Sequence, residues 1–452
     1  MQNRPRLSTI NSNMNRKFEL KKIEADKIVL LGLFALSLLI AHIIVSVKTA
    51  LIFSEPIELI HTGLVISIPE GNGWKTEKKW EYQANSFILN SNFTANSDRP
   101  TASAYCQYII NAETASPQVW FEQKSDEVNG SIINTGQIQA DSLTVDWAHI
   151  EKPELLLNSF FCTIELPYNR RLNIEVHEIT SEVELAEQVF KKILSSLNFE
   201  ENKLFDDGSE IIKSIKNKGL DSFIGDQNLQ TCFLIKDSSR QTIGFMIDVI
   251  RNTGSDAWLN IQAAGHFYGR GLREQAARFR CGNNLNEFIW ESGSNSAAGR
   301  NNIEIILDES GIMTVKDSKT QIGLKYRLSP VAIPDIFIET LLNQMIENNT
   351  KQIIVDMIDA DGKITPTLIS IIEENIASSQ NIPYVIKMEF LDGQGFSELI
   401  HLNDEQQFTR VIVQLNERYI LETTTWEDIV KEFPERADFL TQKSNIFKNN
   451  VF

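Results

Sequence analysis

The sequence contains few of the side chains that build most metal and redox sites. Its 452 residues include only four cysteines and six histidines, and no two cysteines are close enough in the chain to form a Cys-x-x-Cys motif. His177-Glu178 is not followed by a second histidine at the spacing of a zinc protease. We therefore expect no metal site and no cofactor in this chain.

Motifs for nucleotide binding and nucleophilic hydrolysis are also missing. No Gly-rich phosphate loop follows a predicted strand, and neither a Gly-x-Ser-x-Gly nor a Ser-x-x-Lys pattern occurs. The segment from Asp359 to Gly362 resembles part of a calcium loop, but Met357 and Leu368 occupy the positions of two acidic ligands. The segment favours a hairpin turn instead. We expect a protein that is not an enzyme.

Basic residues are too few to balance the acidic ones. The chain has 43 lysines and arginines against 60 aspartates and glutamates, which gives a net charge of −17 at pH 7. Such a chain repels nucleic acid and anionic lipid surfaces, so neither is an expected partner. The expected partners are cell-envelope proteins, or a hydrophobic or anionic ligand.

The chain has a single long apolar run, over residues 28–47, and the run contains no acidic or basic side chain. About 20 such residues match an α-helix that crosses roughly 30 Å of hydrocarbon. Residues 1–27 are rich in lysine and arginine, which places them on the cytoplasmic side. We predict a single-pass anchor in a bacterial inner membrane, with the bulk of the chain in the periplasm. A cleaved signal peptide is the alternative.

Residues 56–200 have the pattern of a mixed domain. Segments rich in β-branched and aromatic residues predict an antiparallel meander. Ser116-Pro117 predicts the start of a helix that runs to Val128, since proline is tolerated in the first turn. Ser181 and Glu184 form a capping box before a second helix, whose apolar residues recur every three or four positions.

The two ends of this segment resemble a known family. The opening, from Gly63 to Pro69 and on to Gly73-Trp74, and the close, from Phe190 to Phe199, are similar to the PsbP/Mog1-like superfamily. The resemblance covers about a third of the chain. It implies an α/β/α sandwich that binds partners rather than catalysing a reaction, and it transfers no catalytic residue.

Residues 201–230 are polar and charged and predict a linker with a short helix, before a β-rich domain over residues 231–435. Turns at residues 308–311, 359–362 and 392–395 each separate two apolar segments, which predicts hairpins in a curved antiparallel sheet of eight or more strands. One amphipathic helix, over residues 335–348, is expected to cover its concave face. Residues 436–452 form a C-terminal tail. The overall prediction is an α+β chain.

This second domain loosely resembles the half-barrels of periplasmic lipoprotein carriers, in which long strands close around a helix. The resemblance implies a lipid or hydrophobic ligand, held in an apolar cavity beneath the helix at residues 336–346. We expect a non-catalytic binding or assembly module, and a carrier of this kind is the first alternative.

The four cysteines divide evenly between the two domains. An extracytoplasmic location would allow the disulfides Cys106–Cys162 and Cys232–Cys281. Four cysteines permit three full pairings. The alternative is that they are small buried apolar residues, to which Cys106 and Cys162 are well suited.

One short segment concentrates positive charge. Guanidinium groups bind carboxylates and phosphates through paired hydrogen bonds, so residues 265–280 are our candidate anion or ligand loop. The alternatives are that these arginines pair with acidic residues of their own domain, or that an undetected hydrolase site lies here. The candidate residues are His266, Tyr268, Arg270, Arg273, Arg278 and Arg280.

Overall fold

Strands dominate the part of the chain that the computed structural model describes. The predicted α+β class is therefore wrong, because the chain is mostly β-sheet with helices packed on its faces. The described residues are 27, 29–41, 51–59, 63–81, 86–94, 101–110, 116–179, 184–224, 229–252, 257–268, 271–296, 299–319, 323–372, 384–392, 395, 397–403, 407–414 and 418–436.

The predicted membrane-spanning helix near the N-terminus is not supported by the described residues. A helix, α1, covers the described residues 29–41 of this run. Within the described ranges, no helix has both the length and the apolar character to cross a membrane. The prediction of a transmembrane helix over residues 28–47 is therefore wrong. Residues 1–26, 28 and 42–47 lie outside the described residues.

Two antiparallel sheets occupy the first half of the chain. The small sheet consists of β1 (Ile57–Glu58), β2 (Leu64–Ile66) and β10 (Asn198–Phe199). The larger one consists of β3 (Trp74–Glu81), β4 (Ser86–Phe93), β5 (Ala102–Ile109), β6 (Ser131–Ala140), β7 (Leu143–Lys152), β8 (Leu157–Leu166) and β9 (Arg170–Ile179). Its spatial order is β3-β4-β5-β9-β8-β7-β6.

Helices cover both faces of this seven-stranded sheet. Helix α2 (Pro117–Val128) begins at the predicted proline and packs Trp120 and Phe121 on one face. Helix α3 (Glu184–Ser196) packs its predicted apolar stripe on the other face. Residues 181–183 lie outside the described residues, so the predicted capping box is not described.

The predicted linker contributes a long buried helix rather than a short one. Helix α4 (Lys203–Lys218) buries Phe205, Ile211, Ile212 and Ile215, and it is followed by a single turn, α5 (Asp221–Ile224). Because α4 is amphipathic, its apolar face packs on the neighbouring sheet. One continuous apolar core therefore extends from the seven-stranded sheet into the next one.

The second half of the chain forms one sheet of fifteen strands. They are β11 (Leu229–Lys236), β12 (Thr242–Asn252), β13 (Ala257–Tyr268), β14 (Gly271–Gly282), β15 (Phe288–Ser296), β16 (Gly299–Leu307), β17 (Ile312–Asp317), β18 (Gly323–Arg327), β19 (Ala332–Pro334), β20 (Gln352–Ile358), β21 (Ile364–Ile372), β22 (Tyr384–Phe390), β23 (Ser397–Leu402), β24 (Phe408–Gln414) and β25 (Arg418–Thr424). The spatial order is β18-β17-β16-β15-β14-β13-β12-β11-β25-β24-β23-β22-β21-β20-β19, and only β19–β20 is parallel.

This sheet curves until distant strands meet. Ser292 on β15 donates a 2.8 Å hydrogen bond to the carbonyl of Ala360 after β20, although many strands separate the two in the sheet. The predicted hairpins at residues 308–311, 359–362 and 392–395 are confirmed by the pairings β16–β17, β20–β21 and β22–β23.

One helix lies against each face of the curved sheet. Helix α6 (Ile338–Glu347) follows a 3₁₀ turn (Asp335–Phe337) and buries Leu341, Leu342 and Met345 in the main core. Helix α7 (Trp426–Glu432), followed by a 3₁₀ turn (Pro434–Arg436), covers a separate apolar cluster on β11 and β12. The tail beyond residue 436 lies outside the described residues.

Candidate functional site

A cavity of about 420 Å³ lies between α6 and the sheet face that this helix covers. Strands β11, β12 and β20–β25 form its wall, and the 3₁₀ turn and the exposed side of α6 form its roof. The volume falls within the range of small-molecule sites, roughly 300–1,000 Å³. We take this cavity as the candidate site.

Alternation along the strands explains its apolar lining. Side chains two residues apart share a face of a strand, so Met246, Asp248 and Ile250 of β12 all reach the cavity while Ile247 and Val249 face α7. The unbranched and aromatic side chains of the wall are Met246, Met357, Met388, Phe223, Phe233, Phe390 and Phe408. Methionine and phenylalanine adapt to apolar ligands of varied shape.

Helix α6 separates the cavity from the core because its two sides differ. Leu341, Leu342 and Met345 point into the packed core, whereas Ile338, Glu339 and Asn343 border the cavity. Residues three to four apart share one side of a helix, which produces this division. The amide oxygen of Asn343 is buried without a hydrogen-bond partner in the described structure.

Five carboxyl groups interrupt the apolar wall. They come from β12, the 3₁₀ turn, α6, the end of β20 and β23, and they are Asp248, Asp335, Glu339, Asp359 and Glu398. No lysine, arginine or histidine is among the described lining residues. The cavity is therefore apolar with acidic groups only.

Burial changes the acidity of these groups. It raises the pKa of Glu398 to about 7, and burial followed by the charge of Asp248 raises the pKa of Glu339 to about 7. Burial also raises the pKa of Asp335 well above its ordinary value, with further contributions from Asp359, Asp248 and Glu398. Asp335 keeps some accessible surface because it borders the cavity. Its response to three other carboxyls indicates that these groups are close enough to interact.

A comparison of Asp359 with Asp308 shows how burial at the cavity changes the pKa of a carboxyl. Asp359 and Asp308 each open a hairpin turn, and each accepts backbone N–H bonds from the residues two and four positions later. Exposed Asp308 has a lowered pKa, because Ser310 and these N–H groups stabilise the charged form. Burial instead raises the pKa of Asp359 to about 6.

The described carboxyls lack the geometry of a metal site. Among the described residues, no group of three or more histidine, cysteine, aspartate or glutamate side chains has the geometry to hold a metal ion. The arrangement is suited to organic ligands with hydrogen-bond donors at more than one position.

A second cleft, of about 670 Å³, lies beside α4 and the β16–β17 turn. Its wall combines polar side chains with charges of both signs, including Lys216, Glu309 and Arg327. Burial lowers the pKa of Lys216. The lining includes charges of both signs that can offset one another, so we rank this cleft below the apolar cavity as a ligand site.

The structure places the predicted arginine loop in a long hairpin. His266 lies in β13 and Arg273 in β14, where their Cα positions are paired, and Tyr268 ends β13. Arg270 and the side chains of His266, Tyr268 and Arg273 lie outside the described part. Arg278 lies 3.9 Å from Glu291 (Nη1 to Oε2), and Arg280 is exposed. Neither of these two borders either cavity.

The predicted disulfides do not form. All four cysteines, Cys106, Cys162, Cys232 and Cys281, are free thiols and buried. Ile174 on β9 lies between Cys106 and Cys162 in the strand register, so two strand spacings, roughly 10 Å, separate them. Cys232 and Cys281 belong to different apolar clusters. Both predicted disulfide pairs are therefore wrong.

One arrangement in the seven-stranded sheet has the connectivity of a catalytic triad. Ser159 Oγ lies 2.9 Å from His177 Nδ1, and Nε2 of the same ring lies 3.4 Å from Glu175 Oε2. However, Ser159 is 1% exposed, and neither cavity includes it. Glu175 also pairs with Lys124 at 3.0 Å. Since a nucleophile needs access to its substrate, we assign no catalysis to this group.

Sequence reasoning identified the helix over the cavity but missed the acidic wall. Acidic residues are abundant in this chain, and their convergence depends on strands far apart in sequence. A usable signal was the alternation of carboxyl and apolar residues, as in Glu398 before Ile400 and Asp248 between Met246 and Ile250. A carboxyl at a core-facing strand position is unusual enough to mark a site.

Comparisons with known proteins identify no family. No protein-family model matches the chain, and no curated protein matches its sequence. Among solved structures, the chain is similar to a β-barrel-like protein of the domain of unknown function DUF1849 from Brucella abortus, with 9% identity, a TM-score of 0.36, and 44% of this chain and 96% of that chain covered. A DUF1089 family protein from Pseudomonas aeruginosa matches with 11% identity, a TM-score of 0.23, and 36% of this chain and 87% of that chain covered.

No PsbP or Mog1-like domain appears among the structural matches. The predicted PsbP/Mog1-like assignment for residues 56–200 is therefore not supported, and we withdraw it. The motifs that suggested it, a strand that leads into Gly73-Trp74 and a closing amphipathic helix, arise in many unrelated sheets.

Proposed function

We propose that this protein binds a small apolar molecule in the cavity beneath α6 and holds it without changing it chemically. One observation carries the proposal: an apolar space of about 420 Å³, bordered by methionine and phenylalanine, between α6 and the curved sheet. Protein interiors seldom contain voids much larger than a water molecule. A space of this size is consistent with a ligand site.

Binding without catalysis is favoured by how the polar groups are distributed. The described lining contains carboxyls and threonines but no histidine, serine or cysteine, so it holds no Ser–His or Cys–His pair. Ser159, whose hydroxyl lies beside His177, lies elsewhere and is 1% exposed. Of the functions expected from the sequence, a carrier of a hydrophobic ligand agrees best with this geometry.

The test is titration of the purified protein with N-phenyl-1-naphthylamine, a neutral probe that fluoresces in apolar surroundings. Leu421 borders the cavity, and replacing it by tryptophan fills part of the space. Leu399 lies on β23 between Glu398 and Ile400, which both border the cavity, so its own side chain lies on the other face. Leu399→Trp is therefore the matched control.

We expect saturable fluorescence at one site, a tenfold or larger loss of affinity in Leu421→Trp, and an unchanged affinity in Leu399→Trp. Bound probe should also raise the unfolding temperature, because a ligand that binds only the folded state stabilises it, by about 2.7 kcal/mol at a hundredfold excess over Kd. Equal affinity in the two variants would contradict the proposed site.

A further inference from the structure

The ionisable groups that face the cavity share one sign. Five carboxyls from five chain segments border it, and the described lining contains no cation. An apolar ligand alone would leave Glu398 and Glu339 without hydrogen-bond partners among the described residues. An ionised carboxyl in apolar surroundings is costly unless it is paired, so the missing positive charge is the informative feature of this cavity.

Glu398 carries this point most clearly. It lies on β23, its partly buried side chain borders the cavity, and no hydrogen bond or ion pair to it is found among the described residues. By contrast, Glu389 on neighbouring β22 pairs with Lys387 at 2.7 Å and does not border the cavity. Glu389, which faces away from the cavity, therefore has a lysine partner, whereas none is found for Glu398 among the described residues.

Two further acceptors lie on α6. Glu339 borders the cavity and makes no hydrogen bond or ion pair with described residues, and Asn343 lies one turn later with its amide oxygen unpaired. Asp335 precedes the helix and interacts electrostatically with Glu398, Asp248 and Asp359. The polar groups of the cavity are thus mostly acceptors, which a ligand with several N–H donors would satisfy.

We propose that the ligand is an amphiphilic cation, with an apolar body and a protonated amine whose N–H groups donate to Glu398 and the carboxyls around it. This inference rests on the proposed function and names the ligand class for the same cavity. The apolar body contacts the methionines and phenylalanines of the wall, and an ammonium group above a phenylalanine face gains a further cation–π attraction. The charge of the ligand offsets the burial of the carboxylates.

The test compares three ligands with the same twelve-carbon chain: dodecylamine, dodecanol and dodecanoate. Each competes with bound N-phenyl-1-naphthylamine at pH 7.5, below its critical micelle concentration. We expect dodecylamine to bind at least tenfold more tightly than dodecanol, and dodecanoate to bind more weakly than dodecanol. Glu398→Gln should reduce the preference for the amine at least fivefold and leave dodecanol unchanged. Glu389→Gln removes the same charge outside the cavity and should preserve the preference.

Each outcome decides the inference. Equal binding of the amine and the alcohol would overturn the cation preference and leave the proposed function standing. Displacement by none of the three would remove both. If Glu398→Gln does not fold, Glu339→Gln serves as the second variant, since its side chain retains some exposure on α6. An amine preference that survives in every cavity variant would also overturn the inference.

Discussion

Arg170 and Asp356 form a buried ion pair that joins the seven-stranded sheet to the fifteen-stranded sheet. Nη2 of Arg170 donates to Oδ1 of Asp356 at 2.8 Å, and the two residues are 4% and 0% exposed. The guanidinium also stacks over Phe205 of α4, 4.3 Å from the ring centroid. Asp356 lies on β20 beside Met357, which borders the cavity, so the pair supports the back of the cavity wall.

We predict that breaking this pair destabilises the whole chain. Asp356→Asn or Arg170→Met leaves one buried group without its partner, and we expect a loss of about 3–5 kcal/mol in the free energy of unfolding. The double variant Arg170→Met/Asp356→Leu should recover most of this loss, because two apolar groups need no partner. Denaturation in urea measures the free energy of unfolding of the two single variants and the double variant. A double variant as unstable as the singles would show that the pair acts in another way.

The unliganded protein should lose stability as the pH rises from about 5 to about 8. Glu398 and Glu339 have a folded-state pKa of about 7, above the unfolded value of roughly 4.3. Their stabilising effect is complete below the unfolded pKa and is lost as the pH rises through the folded pKa. The raised pKa values of Asp335 and Asp359 also lower stability as the pH rises. Asp335 faces the charges of Asp248 and Glu398. Asp359 faces those of Asp361 and Lys363.

Urea denaturation at fixed pH values measures this effect, which we expect to be a few kcal/mol in total. Glu398→Gln should flatten the profile between pH 5 and pH 8, whereas Glu389→Gln should not. Carboxyls with lowered pKa, such as Asp308, affect stability only at more acidic pH. A profile that rises over this interval would contradict the burial of the cavity carboxyls.

Gly208 should be essential for the contact between α4 and β20. A Cβ atom at this position would lie 2.3 Å from the backbone carbonyl oxygen of Ile354, a clash that side-chain motion cannot relieve. We expect Gly208→Ala to destabilise the protein by about 1–3 kcal/mol, even though alanine favours helices over glycine. Glu210→Ala, on the exposed side of the same helix, is the control. An unfolding temperature that is higher in Gly208→Ala than in the unchanged protein would contradict the observed packing.

The four thiols should be present but unreactive in the folded protein. Burial raises the pKa of Cys106 to about 12 and raises the pKa of Cys162, Cys232 and Cys281 as well, so little thiolate forms near neutral pH. We expect almost no reaction with Ellman's reagent in native buffer and four equivalents in denaturant, without added reductant. Fewer than four equivalents would indicate disulfides.

The sequence pattern predicts local elements well in this chain and distant contacts poorly. Pro117 marks the start of α2, and the turns at Asp308 and Asp359 join strands as predicted, because each depends on neighbouring residues. The α6 helix over the sheet also follows from its apolar periodicity. The predicted transmembrane helix over residues 28–47 is the local element that the described residues do not support.

The candidate site depends on contacts that no local pattern contains. Asp248 and Glu398 are 150 positions apart in sequence, and they border one cavity only because the fifteen-stranded sheet curves back on itself. The long helix α4 was similarly hidden, since its charged residues suggested a linker until its apolar side could be placed against β20. By contrast, the arginines at positions 278 and 280 were conspicuous in sequence but border neither cavity.

The most direct test of the central claim is a crystal structure of the protein with 12-bromododecylamine, whose bromine is located by anomalous scattering. We predict one strong bromine peak among the methionines and phenylalanines beneath α6, with the amine nitrogen about 3 Å from a carboxyl oxygen of Glu398 or Asp335. A bromine peak only in the cleft beside Lys216, or on the outer surface, would contradict the account.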